Sequence, residues 1–387
     1  MPPTQSKAPL KLLNPGPVML TRRVREALLR EDICHREPEF SALLAEIRAR
    51  LISVYPQAAS EFVAIVLTGS GTAAVEAMVG SLVPKNGHAL VVANGVYGER
   101  MAAMLQAEQK TVHLARAEWT EPMNLAAAEE MLASGQGITH VVAVHVETTT
   151  GRLNDLPALG ALCKRYDVPL LLDSVSGFGA EEIDFENWNL EACAGTSYKC
   201  LHGAPGASFV LVRKTAFTSR KSGAASFYLN LFRHYAEQQR NSSPFTPAVH
   251  TYYALNEALQ ELTDTGGWRS RRAHYRELTH QIFDGLRKRG VEPLLDLDTP
   301  SSSVLTAYRV PRGCDYVSLH DFLKESGFVI YAGQGKFAGE IFRIAVMGAL
   351  TSMDAERLLT VTEQYLATKS VASRESPTLS LHERKSD

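Results

Sequence analysis

The sequence predicts an α/β fold: a mostly parallel sheet with helices on both faces, followed by a smaller α+β lobe. Three observations carry that expectation. Between about residues 60 and 212, short apolar runs alternate with longer amphipathic ones, the strand–helix–strand rhythm of a parallel sheet. From about residue 290 the period shortens to that of strands, and a last helical stretch follows. The chain has 387 residues, 45% of them hydrophobic, which is too long for one compact core and suits a large domain with a smaller one.

Taken in order, residues 1–20 read as an N-terminal arm. Residues 22–55 read as a helix broken near Pro38, because proline cannot continue a helix interior. Strands are expected at Phe62–Leu67, Ala89–Ala93, His140–Val146, Val168–Leu172 and Ser208–Val212. Between them, Thr72–Leu82, Tyr97–Glu108, Asn124–Ala133 and Leu156–Tyr166 carry helical periodicity. Thr251–Asp264 and Trp268–Arg289 are helical, punctuated by Gly266-Gly267. Val304–Arg309, Phe328–Tyr331 and Ile341–Val346 look like strands, and Met353–Ala367 like a helix. The domain boundaries that follow are 21–265 for the large domain, 266–368 for the small one, and 369–387 for a flexible Ser-, Arg-, Glu- and Pro-containing tail with little to bury.

Composition excludes several classes of function. Lys plus Arg is 40 and Asp plus Glu is 42, a formal net charge of −2, so no strong field exists to gather nucleic acid or anionic lipid. Apolar runs such as Phe62–Leu67 are far short of a membrane span. The N-terminus lacks the apolar stretch of a secretory signal, and five scattered cysteines make no Cys-x-x-Cys pair. Reduced thiols, a cytoplasmic location, and no metal are the expectation.

Sites in parallel sheets form at the carboxyl ends of strands, so the strand-to-helix turns matter most. The turn Thr68-Gly69-Ser70-Gly71-Thr72-Ala73-Ala74 offers small residues, hydroxyls and a helix N-terminus, a cradle for a phosphate; an ordinary capped tight turn is the plainer alternative. Gly69-x-Gly71-x-x-Ala74 also fits a dinucleotide fingerprint. The next strand, however, ends in Asn94-Gly95, with no acid until Glu99. Asp173 ends an apolar strand, where a carboxylate must face a cation or a donor, or else cap a helix. Lys199 sits among small and apolar residues and is followed by Gly203-x-Pro205-Gly206. A lysine in a partly dry site loses proton affinity and becomes an amine able to form a Schiff base, although most lysines are merely solvated. Tyr97 offers an aromatic face or a core ring, and Glu147-Thr148-Thr149-Thr150-Gly151 offers hydroxyls or a polar loop. Arg343, inside an apolar strand, wants an anion, either a substrate acid or a protein carboxylate. A phosphate cradle, an aromatic face, a carboxylate, an amine and an anion fork together match the parts of pyridoxal 5′-phosphate.

On these residues the chain resembles the class V, fold-type I pyridoxal-phosphate aminotransferases. The most telling stretches are 69–77, 93–100 (Ala-Asn-Gly-Val-Tyr-Gly-Glu-Arg), 147–151 and 197–203 (Ser-Tyr-Lys-Cys-Leu-His-Gly). The resemblance runs from Leu13-Asn14-Pro15-Gly16-Pro17 to Phe342-Arg343-Ile344 and implies a seven-stranded, mostly parallel sheet. It also implies that Lys199 joins the cofactor covalently, that Asp173 pairs with its ring nitrogen, and that Val175 packs under the ring while Tyr97 stacks on it. Ser70, Gly71 and Thr72 would cradle the phosphate, with Tyr198 nearby; Thr148 would reach the phenolic oxygen. Thr246 would reach the phosphate of the neighbouring subunit in a homodimer. Arg343 would grip the substrate's acid group, with Asn14, Gly16 and the loop Gly333–Lys336 as further substrate contacts. Two departures stand out: Tyr198 replaces a smaller, often glutamine-like residue, and Ser243 stands where some relatives carry tyrosine.

The implied activity is a ping-pong transfer of the amino group of 2-aminoethylphosphonate to pyruvate, giving phosphonoacetaldehyde and L-alanine. An alanine- or serine-glyoxylate aminotransferase on the same scaffold is the nearest alternative. A cysteine desulfurase would stack a histidine where this chain has Tyr97 and would need a mobile cysteine loop. A nicotinamide oxidoreductase lacks its acid after Ala93, and a non-catalytic binder would have lost Lys199.

Overall fold

The computed structural model describes residues 10–295 and 299–374. Its centre is a seven-stranded sheet in the order Phe62–Thr68, Ala207–Arg213, Leu190–Thr196, Leu170–Asp173, Ile138–Val144, His88–Ala93, Thr111–Arg116. Ala207–Arg213 runs antiparallel to both of its neighbours, and every other pairing is parallel. Apolar side chains cover both faces. One core gathers Leu90, Val141, Leu170 and Phe209 with Leu43 and Leu159, and the other gathers Ile65, Val91, Val142 and Leu171 with Met78 and Leu105. The near-continuous apolar strand runs reflect this two-sided burial.

Two strands carry no apolar run and escaped prediction. Thr111–Arg116 is an edge strand whose outer residues stay wet, so it needs only a sparse apolar face. Leu190–Thr196 is buried throughout, yet it is built from Glu, Ala, Cys and Gly. Its small residues leave room for neighbours: a Cβ at Gly195 would run into the Phe209 ring. Low β-propensity there is overridden by packing.

The segment expected as one broken helix forms two, Arg22–Ala27 and Pro38–Ser53, the latter beginning at its proline. Val249–Asp264 and Gly267–Lys288 are separated at Gly266 and Gly267, both at positive φ (+94° and +76°). Beyond them lie a three-stranded antiparallel sheet in the order Leu305–Arg309, Ile341–Ala345, Tyr331–Ala332, the helix Tyr316–Glu325, and the last helix, Ser352–Arg374. That helix runs past position 369. The rest of the expected tail, 375–387, and the first nine residues of the arm lie outside the described residues. The arm's Lys11–Leu12 pairs parallel with Phe328–Val329, and Leu13 and Val18 join the core of the C-terminal lobe. Among the described residues, no helix is long and apolar enough to cross a membrane, and all five cysteines are free.

Because six of the seven strands are parallel, the turns after Thr68, Ala93, Val144, Asp173 and Thr196 open at one end of the sheet. The topology thereby brings turns as far apart in sequence as those after Thr68 and Thr196 to one place.

Candidate active site

A cavity of about 170 Å³ at that end is lined by Gly16, Gly71, Thr72, Tyr97, Asp173, Val175, Tyr198 and Lys199, together with Pro15, Val75, Arg100, Met101, Met104, Tyr331 and Gln334. Nine of the predicted site residues, counting Gln334 of the loop Gly333–Lys336, thus share one wall. A larger cleft of about 510 Å³, lined by His145, Glu181, Trp188 and Arg272 among others, gathers none of them. We place the site in the smaller cavity, because that is where the amine, the carboxylate and the helix N-terminus meet.

The cradle is the amino end of helix Gly71–Leu82. The Ser70 side chain caps it, accepting from the Ala73 amide, and the Gly71 amide donates to the Tyr198 hydroxyl at 3.0 Å. Tyr198 therefore keeps its own O–H proton to donate, and the Thr72 amide has no intrahelical acceptor. Glycine is required at 71, because a Cβ would lie 2.6 Å from Val175 Cγ1.

Asp173 is buried. Its Oδ1 accepts from the Val175 amide at 2.9 Å. Burial pushes its pKa up, against that amide and the charges of Lys199 and Arg100, which pull it down. Lys199 Nζ donates to Ser176 Oγ at 2.7 Å and lies 5.9 Å from the centre of the Tyr97 ring. Gly16, at φ +118°, lets the arm pass close over this lysine: a Cβ would stand 3.2 Å from Lys199 Cγ.

The other predicted residues stand apart from the wall. Ser70 and Thr246 are exposed, the latter just ahead of helix Val249–Asp264. Asn14 is buried and spends its amide on the Pro17 carbonyl. Arg343 is fully buried, one layer behind Tyr331 and Gln334. Its N–H groups donate to the Ala332 carbonyl (3.0 and 2.7 Å), the Thr148 carbonyl (2.9 Å) and Gln334 Oε1 (3.4 Å). Among the described residues it has no carboxylate at ion-pair distance. The Thr148 hydroxyl is buried and, among the described residues, has no hydrogen-bond partner.

Sequence reasoning assigned no role to Ser176, Arg100, Tyr331 or Glu147. Arg100 stacks on Tyr97 with 4.8 Å between guanidinium carbon and ring centre. The carboxyl of Glu147 is wholly buried, and burial pushes its pKa up to about 7. An acid at the head of a hydroxyl-rich segment was its only sequence signal. A carboxyl whose pKa is raised on folding keeps its proton in the native chain after the unfolded chain has released it. Stability therefore falls as pH rises from the ordinary value of 4.5 to about 7. Relative to Glu147→Gln, the protein freed of cofactor is expected to lose up to about 3 kcal/mol across that window. Thermal unfolding of both proteins at stepped pH checks this, and parallel pH profiles would refute it.

The residues fit the group their chemistry suggests. Pyridoxal 5′-phosphate needs anion donors, a flat contact on each ring face, an acceptor for a protonated ring nitrogen, an amine, and a donor at its phenolic oxygen. On the cavity wall, the free amide of Thr72, the Tyr198 hydroxyl, Tyr97 and Val175, Asp173 and Lys199 could supply all of this set but the last, and the Thr148 hydroxyl, off that wall, could supply the last. Fold and site together define a pyridoxal-phosphate-dependent transaminase. The chain belongs to the Aminotransferase class-V family, whose profile matches residues 25–350. It is 34% identical over 359 residues to a bifunctional phosphonoacetaldehyde hydrolase/aminoethylphosphonate transaminase of Clostridioides difficile, covering 92% of this chain but only 56% of that protein. It is 35% identical over 352 residues to a 2-aminoethylphosphonate–pyruvate transaminase of Bacillus cytotoxicus, covering 90% of this chain and 95% of that one. Among solved structures, alanine–glyoxylate aminotransferase of a Nostoc species superposes with a TM-score of 0.85 at 25% identity, covering 94% of this chain and 97% of that one.

Proposed function

We propose that the protein transfers the amino group of 2-aminoethylphosphonate to pyruvate, yielding phosphonoacetaldehyde and L-alanine in two half-reactions. The observation that carries this reading is the 35% identity over nine-tenths of the chain to a transaminase named for those two substrates. When bound, the cofactor supplies an aldehyde that takes the amino group and a ring that accepts electrons from the substrate carbon. Lys199 Nζ is the proposed covalent anchor and proton carrier, and Ser176 Oγ, 2.7 Å away, orients it. Asp173 would hold the proton on the ring nitrogen, Tyr97 and Val175 would clamp the ring, and Gly71, Thr72, Tyr198 and Ser70 would hold the phosphate end.

Arg343 is the proposed anchor for both substrates, since its fork suits a phosphonate and a carboxylate alike. The lack of a carboxylate at ion-pair distance among the described residues supports this, and Gln334 links it to the cavity. Asn14 and Gly16 are proposed to shape the substrate end. Arg343→Gln should raise KM for aminoethylphosphonate and for pyruvate about 10- to 100-fold each. Steady-state kinetics with each substrate varied checks this, and a change in one KM alone would contradict a shared anchor.

The proposed assembly is a homodimer in which Thr246 reaches the partner's cofactor phosphate; an active monomer at sedimentation equilibrium would contradict it. The large domain is proposed to span 21–265 and the small one 266–368, in a cytoplasmic enzyme. Paired assays test the substrate assignment. Activity with alanine and glyoxylate, and none with aminoethylphosphonate, would replace it by a glyoxylate aminotransferase.

A further inference from the structure

Helix Val96–Ala107 carries Tyr97, yet its cap residue, Gly95, has no side chain to satisfy the first amides. The acceptors come from another strand's turn. The Val96 amide donates to Thr149 Oγ1 at 3.2 Å, and Thr149 Oγ1 donates to Glu147 Oε1 at 2.5 Å. Glu147 Oε1 also accepts from the Thr149 amide at 3.2 Å, and the Gly98 amide lies close enough to favour the charged carboxylate. The carboxyl lies against the Gly95 backbone so closely that a Cβ there would run into Glu147 Cδ. Val96 and Gly98 flank Tyr97. Between Glu147 and Thr149 stands Thr148, whose carbonyl accepts from Arg343 and whose hydroxyl is unpartnered. The charged groups that act on Glu147 across the site are Asp173 and Arg343.

A buried carboxyl is costly when an exposed serine or aspartate at the cap position would satisfy the helix. Its placement has a consequence that an ordinary cap lacks: it joins the backbone on both sides of Tyr97 to the segment bearing Thr148. We propose that Glu147 is a positioning residue that, through Thr149, sets the depth and tilt of the Tyr97 ring over Lys199 and Asp173. The inference rests on the stacking role proposed for Tyr97 and is independent of which amine is the donor. Oε1 is the working atom, so an amide, which keeps an acceptor oxygen there, can stand in for the carboxyl.

The test uses the full chain loaded with pyridoxal 5′-phosphate, in the variants Glu147→Gln, Glu147→Leu, Thr149→Ser and Thr149→Val. Three quantities are read: circular dichroism of the bound cofactor in the near-visible, which reports the asymmetry of its contacts; amide exchange at Val96 and Gly98; and the split between kcat and KM. Glu147→Gln and Thr149→Ser should match the parent. Glu147→Leu and Thr149→Val should lose at least about half of the dichroic band. They should also exchange those amides about tenfold faster, the loss of one hydrogen bond, and lose about 10- to 100-fold in kcat at nearly constant KM. Should Glu147→Leu fail to fold, Thr149→Val decides. An unchanged band and unchanged exchange in Thr149→Val overturn the inference, as does a defect in Thr149→Ser equal to that in Thr149→Val. A parent protein with no dichroic band overturns the stacking role of Tyr97 itself, which is a distinguishable failure.

Discussion

Lys199→Ala is expected to lower turnover by at least about 10⁴-fold while leaving the fold intact, because no other amine can take its place. Lys199 is buried, its hydrogen-bond partner is the neutral Ser176 hydroxyl, and among the described residues no second lysine lines the cavity. Truncation leaves Ser176 beside a small void and removes a buried cation, so stability changes little. Borohydride treatment of the cofactor-loaded parent should tag the peptide containing position 199, and the variant should yield no such tag. Retained turnover in the variant would remove Lys199 from the chemistry altogether.

Asp173→Asn is expected to lower kcat by on the order of 10³-fold, with KM for pyruvate nearly unchanged, the signature of electrostatic support lost at the reacting centre. An asparagine keeps an oxygen to accept the Val175 amide, so the turn and the placement of Val175 should survive. What it loses is the charge proposed to keep a proton on the cofactor's ring nitrogen. A second sign is checkable without cofactor. Burial pushes the Asp173 pKa up, so ionising it penalises the native state once pH passes the ordinary carboxylate range. The cofactor-free asparagine variant should therefore unfold at a higher temperature than the parent at pH 7. Lower activity with a lower melting temperature would mean that the substitution damaged the fold and did not test the charge.

Much of this architecture was legible in the chain because it is written in periodicity. The strands at 62–68, 88–93, 138–144, 170–173 and 207–213 are apolar runs buried on both faces, and their helices carry one apolar side. The strand at 190–196 was not legible, since its Ala, Cys and Gly residues suit packing beside Phe209 and follow no strand pattern. Site residues were legible where their type is rare for the place: a lysine among small residues, an acid ending an apolar strand, glycines opening a helix. Glu147, Arg100 and Tyr331 were not, because their meaning lies in what the sheet topology sets against them. Only the fold shows that the Glu147 carboxyl occupies the space left by Gly95. The same holds for Arg343. Its strand position predicted a need for an anion, but the carbonyls that share its N–H groups come from Thr148 and Ala332.

The central claim is that a cofactor anchored on Lys199 carries the amino group from a phosphonate to a keto acid, and single half-reactions test it most directly. The cofactor-loaded protein is mixed with 2-aminoethylphosphonate alone, in the absence of any acceptor. The near-visible absorbance of the bound cofactor should then disappear with release of one phosphonoacetaldehyde per site, and pyruvate should restore it with release of one alanine. If 2-aminoethylphosphonate leaves that absorbance unchanged while another amino donor discharges it, the substrate assignment is wrong. If no donor discharges it, the account of the site is wrong.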